Sequence, residues 1–118
     1  MPRKKSTQIT QKPNKFEQQL AVTLANIRDE EKMMAFLHSF LSNNELSQLG
    51  TRLAIHTQLE AGKSYEQIQK ILGVSSATIS TASQQQKSPA MQMALQLLNL
   101  DTWARETAEK IRRYVPFL

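Results

Sequence analysis

Cysteine is absent from this 118-residue chain, so disulfides, thiolate nucleophiles and Cys-ligated zinc are excluded. Glycine (three) and proline (four) are few, and two of the prolines, Pro2 and Pro13, lie within the first fifteen residues. Histidine and aspartate are equally few. The two histidines, His38 and His56, stand alone in helical patterns, and the two aspartates, Asp29 and Asp101, read as helix-start residues. No nucleophile–base pair or acidic triad can be assembled from them, so no enzyme and no metal site is expected. No apolar run approaches a membrane span, and the N-terminus lacks the apolar core of a signal peptide. A soluble, cytoplasmic protein is therefore expected, with no membrane partner.

Leu, Ala, Gln, Glu and Lys dominate, and the β-branched residues nowhere alternate with period two. That composition predicts an all-α protein. The formal net charge of +5 is concentrated at one end. Arg3, Lys4, Lys5, Lys12 and Lys15 precede the first acid, Glu17, and from residue 16 onward ten basic and ten acidic residues cancel. Residues 1–15 read as a flexible basic arm. A solubilising tail is one account of it; a segment that neutralises DNA phosphates is the other.

Helical periodicity runs through the rest. Phe16, Leu20, Leu24 and Ile27 form one stripe. Residues 29–41, opened by Asp29, Glu30 and Glu31, carry large apolar groups on more than one side. Ser42 and Glu45 form a capping box for a third helix ending near Ala61, with Leu46, Leu49, Leu53, His56 and Leu59 as its expected buried face and Gly62 as its stop. Ser88 and Pro89 open a further helix with Met91, Ala94, Leu95 and Leu98 on one face. Asp101 is expected to cap a separate last helix, with Trp103 on its apolar side and Pro116 as its end. Six or seven short helices result. The second and last carry more apolar surface than so small a monomer would hide, which points to a second copy.

The most informative stretch is Ser64–Thr81. Ser64 and Gln67 make a capping box, Ile68, Ile71 and Leu72 line one face, and Gly73 supplies a positive φ for a tight turn. Ser75 caps the next helix, from which Ile79 and Ala82 point back. Its outer face is Ser76, Ala77, Ser80, Thr81 and Gln84: small, neutral and hydrogen-bonding. This is the layout of a helix-turn-helix whose second helix suits a groove of DNA.

Gln48-Leu49-Gly50-Thr51-Arg52, then Leu72-Gly73, then Ala77-Thr78-Ile79-Ser80, resemble the Trp repressor family of bacterial regulators. That family is itself one of the standard examples of helix-turn-helix reading and of water-mediated base contacts. The resemblance implies an all-α, intertwined homodimer that presents two heads to successive major grooves, with a small-molecule pocket between head and core. It divides the chain into the arm (1–15), a core domain (16–98) with the helix-turn-helix at 64–84, and a C-terminal helical extension (99–118).

In the family, tryptophan is held by two arginines. The first is matched by Arg52, for which bracing the head is the alternative role; the second falls on Thr81, which offers no guanidinium. Ala82 stands where the family has glycine, and Ser83 matches. Arg52, Thr81 and Ser83 are thus the candidate ligand residues. No tryptophan corepressor and no other cofactor is expected, and any effector is unidentified. The candidate DNA contacts are Tyr65, Gln69 and Lys70 from the first helix of the motif, Ser75, Ser76, Ala77, Ser80, Thr81 and Gln84 from the second, and Lys63, Lys87, Arg3, Lys4 and Lys5 for phosphates. The expected function is a repressor-like transcription regulator reading a two-fold operator on double-stranded DNA through residues 75–84. The alternative is a DNA-targeting or adaptor subunit, such as a transposase partner, whose C-terminal helix docks another protein.

Overall fold

The computed structural model describes Lys12 and residues 14–115. Arg3, Lys4, Lys5 and the expected stop at Pro116 lie outside the described residues. Among those residues there are six α-helices and no strand: α1 (Lys15–Asn26), α2 (Glu30–Phe40), α3 (Asn43–Glu60), α4 (Tyr65–Leu72), α5 (Ser76–Ser83) and α6 (Pro89–Tyr114). The all-α expectation holds. The chain divides into two compact units, residues 1–46 and 47–118.

In the first unit the helix starts are set locally. Asn14 accepts a hydrogen bond from the Glu17 N–H at 2.8 Å while the Glu17 carboxylate accepts one from the Asn14 N–H at 2.9 Å, a capping box beyond those expected from sequence. Asp29 caps α2 by accepting from the Glu31 N–H, and Glu30 and Glu31 occupy the first turn, where the helix dipole favours anions. The expected capping box at α3 is present: the Ser42 N–H donates to Glu45 Oε1 and the Glu45 N–H to Ser42 Oγ. Hydrogen bonding to the carboxylate from the Ser42 backbone N–H, and then from the Ser42 side chain, holds the Glu45 carboxyl below its ordinary range. Phe36 and Phe40 stack at 5.1 Å between centroids. Neither α1 nor α2 buries a single residue.

The second unit contains a small, tight core. Ile55 of α3, Ile68 of α4, and Ile79 and Ala82 of α5 are buried together, with Leu59, Leu72 and Val74 packed around them. Each buried isoleucine contributes roughly 1.5–3 kcal/mol of transfer free energy. The expected face of α3 is corrected here. Leu49 and Leu53 are exposed and Leu46 is half-buried, while Ile55 and His56 are the buried pair. Ile55 and Leu59 in the C-terminal half of α3 pack into the α4–α5 core, whereas Ser47, Gln48 and Thr51 in the N-terminal half face Val74 and Thr78 across an open cleft. In α4, Ile71 is likewise exposed, because Ile68 and Leu72 already fill the space facing α5.

The last helix also differs from expectation. Pro89–Tyr114 is one 26-residue helix capped by Ser88, with no break at Asp101. Residues 97–103 contain neither Gly nor Pro, and Asp101 pairs with Arg105 one turn on (2.8 Å) instead of capping. Trp103, expected on a buried face, is 62% exposed. No helix among the described residues is long and apolar enough to cross a membrane.

Candidate nucleic-acid interface

The pair α4–α5 is held by local chemistry at every joint. Ser64 accepts from the Gln67 N–H at 3.1 Å and Gln67 Oε1 accepts from the Ser64 N–H at 2.9 Å. Gly73 takes φ +68°, the left-handed conformation that closes α4, and its N–H donates to the Gln69 carbonyl. Ser75 then caps α5 by accepting from the Thr78 N–H. With Ile79 and Ala82 sealed against Ile55 and Ile68, the opposite face of α5 is left to solvent. Ser76, Ala77, Ser80, Thr81 and Gln84 are all exposed on it.

These hydroxyls are not equivalent. Thr81 Oγ1 donates to the Ala77 carbonyl, Ser83 Oγ donates to the Ser80 carbonyl, and Ser75 Oγ is within 2.9 Å of Thr78 Oγ1. Ser76 and Ser80 have no side-chain hydrogen bond among the described residues, so their hydroxyls keep both donor and acceptor capacity. Tyr65 donates its O–H to Ser83 Oγ at 2.9 Å, which ties the start of α4 to the end of α5. Gln69 is half-buried, and Lys63, Lys70 and Lys87 are exposed around the motif.

Behind the head lies a polar lock for which the sequence carries no local signal. His56 is 2% exposed and Gln86 8% exposed. Gln86 Nε2 donates to the His56 carbonyl (3.1 Å) and to Glu60 Oε1 (2.9 Å), so its Oε1 is the atom facing the imidazole. His56 Nδ1 therefore carries the hydrogen and donates to Gln86 Oε1 at 2.7 Å. Gln92 Nε2 closes the ring by donating to Glu60 Oε1 and to the Gln86 carbonyl. Bonds from Gln92 and then Gln86, helped by the positive field of Lys87, hold the Glu60 carboxyl below its ordinary value of 4.5. Gln86 sits in a glutamine run that reads as a plain connector. Its partners lie 26 and 30 residues away, and no short-range pattern announces them.

Two clefts flank Arg52. One of about 350 Å³ is lined by Ser47, Gln48, Thr51, Arg52, Ile55, Val74 and Thr78. The other, about 440 Å³, is lined by Arg52, His56, Thr78, Thr81, Ala82 and Gln85. Arg52 and Thr81 thus share a cleft, as the resemblance implies, while Ser83 is half-buried outside its lining. Arg52 makes no hydrogen bond to a helix end among the described residues, so the bracing role does not fit. Among the described residues no three His, Cys, Asp or Glu side chains come together to hold a metal ion.

A capped, glycine-closed helix pair with an exposed polar second helix defines a helix-turn-helix protein. The Trp repressor protein family matches residues 16–99, and the chain belongs to that family. The family is one of regulatory, DNA-binding helix-turn-helix proteins and is not enzymatic. Neither the curated proteins nor the solved structures gave a match.

Proposed function

We propose that this chain is a dimeric, repressor-like transcription regulator that reads a two-fold DNA operator through α5. The observation that carries the reading is the contrast between the two faces of α5. One is sealed by Ile79 and Ala82; the other offers Ser76, Ser80 and Gln84, whose side chains have no partner among the described residues. On a major-groove floor, hydroxyls and a primary amide donate to and accept from base edges, and the Ala77 methyl suits a thymine methyl. Ser75 and Thr81 flank that surface with committed hydroxyls. Tyr65, Gln69 and Lys70 approach from α4. Lys63, Lys70 and Lys87, with the arm residues Arg3, Lys4 and Lys5, supply cations for phosphates.

Dimerisation is supported by α1 and α2, which bury no residue yet expose Phe16, Val22, Met34 and Phe40. Isolated helices of 11 or 12 residues are marginal in water, so these need an apolar surface to pack on. Tryptophan is not the effector on this reading. Arg52 is the one guanidinium lining the 440 Å³ cleft, and the Thr81 hydroxyl hydrogen is engaged by the Ala77 carbonyl.

Selection of bound sequences from random DNA by the full-length protein tests the reading. The expected result is a pair of two-fold-related half-sites spaced by about one helical turn, roughly 10–10.5 base pairs, or a multiple of it. Replacing Ser80 with a bulky residue is expected to change base preference within each half-site. Recovery of no enriched sequence overturns the proposal. Deleting residues 1–15 is expected to reduce the salt slope of binding by about 0.9 for each phosphate that the arm neutralises.

A further inference from the structure

The family match ends at residue 99, but α6 continues without a break to Tyr114. The face of α6 that packs on α3 is marked by Leu95, buried, and Gln92, bonded to Glu60. Beyond Leu95 no residue of α6 is buried. On the opposite side of the helix run Met93, Leu97, Leu100, Ala104, Thr107, Ile111 and Tyr114, spaced 4-3-4-3-4-3. That is a 3.5-residue repeat over three heptads, the seam along which one helix meets another in a left-handed coiled coil. It is uncovered: Leu97 and Leu100 are each 60% exposed and Tyr114 87%.

The charged pairs of this segment, Arg105–Asp101 and Arg112–Glu109, are formed within the helix and lie off the seam. At roughly 200 Å² per large side chain, Met93, Leu97, Leu100, Trp103, Ile111 and Tyr114 together leave on the order of 800 Å² in water. Each partner of a standard stable interface contributes about that area, ~800 Å².

We infer that this seam pairs, antiparallel, with the same seam of α6 from a second copy of the chain. The identity of the partner rests on the dimer reading above; the location of the contact is new. A two-fold axis between residues 105 and 106 sets Leu97 against Tyr114, Leu100 against Ile111 and Ala104 against Thr107 of the other copy. Large residues then meet at both ends and small ones at the centre, where the helices approach most closely. The flanks also complement one another. Trp103 and Lys110 border the seam on one side, and the antiparallel arrangement brings the Lys110 ammonium of each copy to the Trp103 ring of the other, a cation–π pair. A parallel pairing instead places Lys110 beside Val115 and forms no such pair.

Sedimentation and cysteine pairing on the full-length chain test this. Leu100→Asp combined with Ile111→Asp is expected to raise the dimer dissociation constant at least about a hundredfold, since each dimer would bury four unpaired carboxylates. Both positions are exposed within the single chain, and far-UV circular dichroism and DNA binding at high protein concentration report on its fold. Glu106→Gln, off the seam, is expected to leave the dissociation constant unchanged. Because the natural chain has no cysteine, Ala104→Cys and Thr107→Cys place single thiols on the seam. An equimolar mixture of the two variants should form a mixed disulfide dimer faster than either forms its own.

Faster self-pairing of Ala104→Cys overturns the antiparallel arrangement. A wild-type dimer that is insensitive to the double aspartate and forms no seam disulfide overturns the inference, and places another segment or another protein on this face. A wild-type chain that stays monomeric at tens of micromolar overturns the dimer reading as well.

Discussion

The helix-turn-helix head and the α1–α2 segment use similar amounts of chain to opposite effect. The head closes on itself: Ile55, Ile68, Ile79 and Ala82 exclude water from one another, and capping bonds satisfy the ends of both short helices. α1 and α2 are equally well capped but bury nothing, and Phe16 and Phe40 remain 72% and 58% exposed. Capping and amphipathic patterning therefore make a helix without making a core. A core needs a facing surface, and on the dimer reading the surface for α1 and α2 belongs to the second copy.

The largest expected effect falls in the head. Ile79→Ala should lower the free energy of unfolding by about 2–5 kcal/mol, read by urea denaturation, because it opens a cavity at a fully buried position. The paired variant is Phe40→Ala. If α2 faces water in solution, its effect stays within about 0.5 kcal/mol. If a second copy covers it, the loss grows as the protein is diluted, through the mass-action dependence of a dimer. A concentration-independent loss of the size seen at Ile79 would break the contrast.

Gln86→Ala should cost about 1–3 kcal/mol, since it leaves the buried His56 Nδ1–H without its acceptor. The same network predicts a pH effect. The carboxyl of Glu60 is held below 4.5, so the folded state binds fewer protons there than the unfolded one. Its stabilisation is fully present above 4.5 and is lost as pH falls through the lower folded value. Urea titrations well above and well below that range should show a smaller loss of this kind in Gln86→Ala than in the wild type.

Two glycines give the smallest and sharpest pair. Gly73→Ala should destabilise by about 1–2 kcal/mol, because the residue sits at φ +68° and a Cβ is strained there whatever space surrounds it. Gly50→Ala should stabilise by roughly 0.5–1 kcal/mol, being mid-helix with nothing within 4 Å of the added carbon. A loss at Gly50, measured by thermal unfolding, would mean that another chain approaches α3 closely at that point.

Much of the architecture is legible residue by residue. Ser42, Ser64, Ser75 and Ser88 announce four helix starts, and Gly62 and Gly73 announce two stops, because capping and left-handed closure are set within one helical turn. Ile68, Ile79 and Ala82 follow from period alone. The departures share one cause: Leu49, Leu53, Ile71 and Trp103 fit an apolar stripe as well as the buried residues do. Which stripe is covered depends on where neighbouring helices end, and that is not a local property. Asp101 departs for a related reason, since an aspartate one turn before an arginine serves a continuous helix as readily as a cap.

Sequence by itself determined the helix starts at Ser42, Ser64, Ser75 and Ser88, the closures at Gly62 and Gly73, the helix-turn-helix and its neutral outer face. It also determined the absence of a second arginine at Thr81, since each of these is a matter of residue type at short spacing. Tertiary structure decided what those residues are free to do. It committed the Thr81 and Ser83 hydroxyls while leaving Ser76 and Ser80 open, buried His56 against Gln86 across 30 residues, and fused two expected helices into α6 with a bare seam. Burial and hydrogen-bond partnership are relations between distant parts of a chain. Only when the chain is folded are the partners chosen.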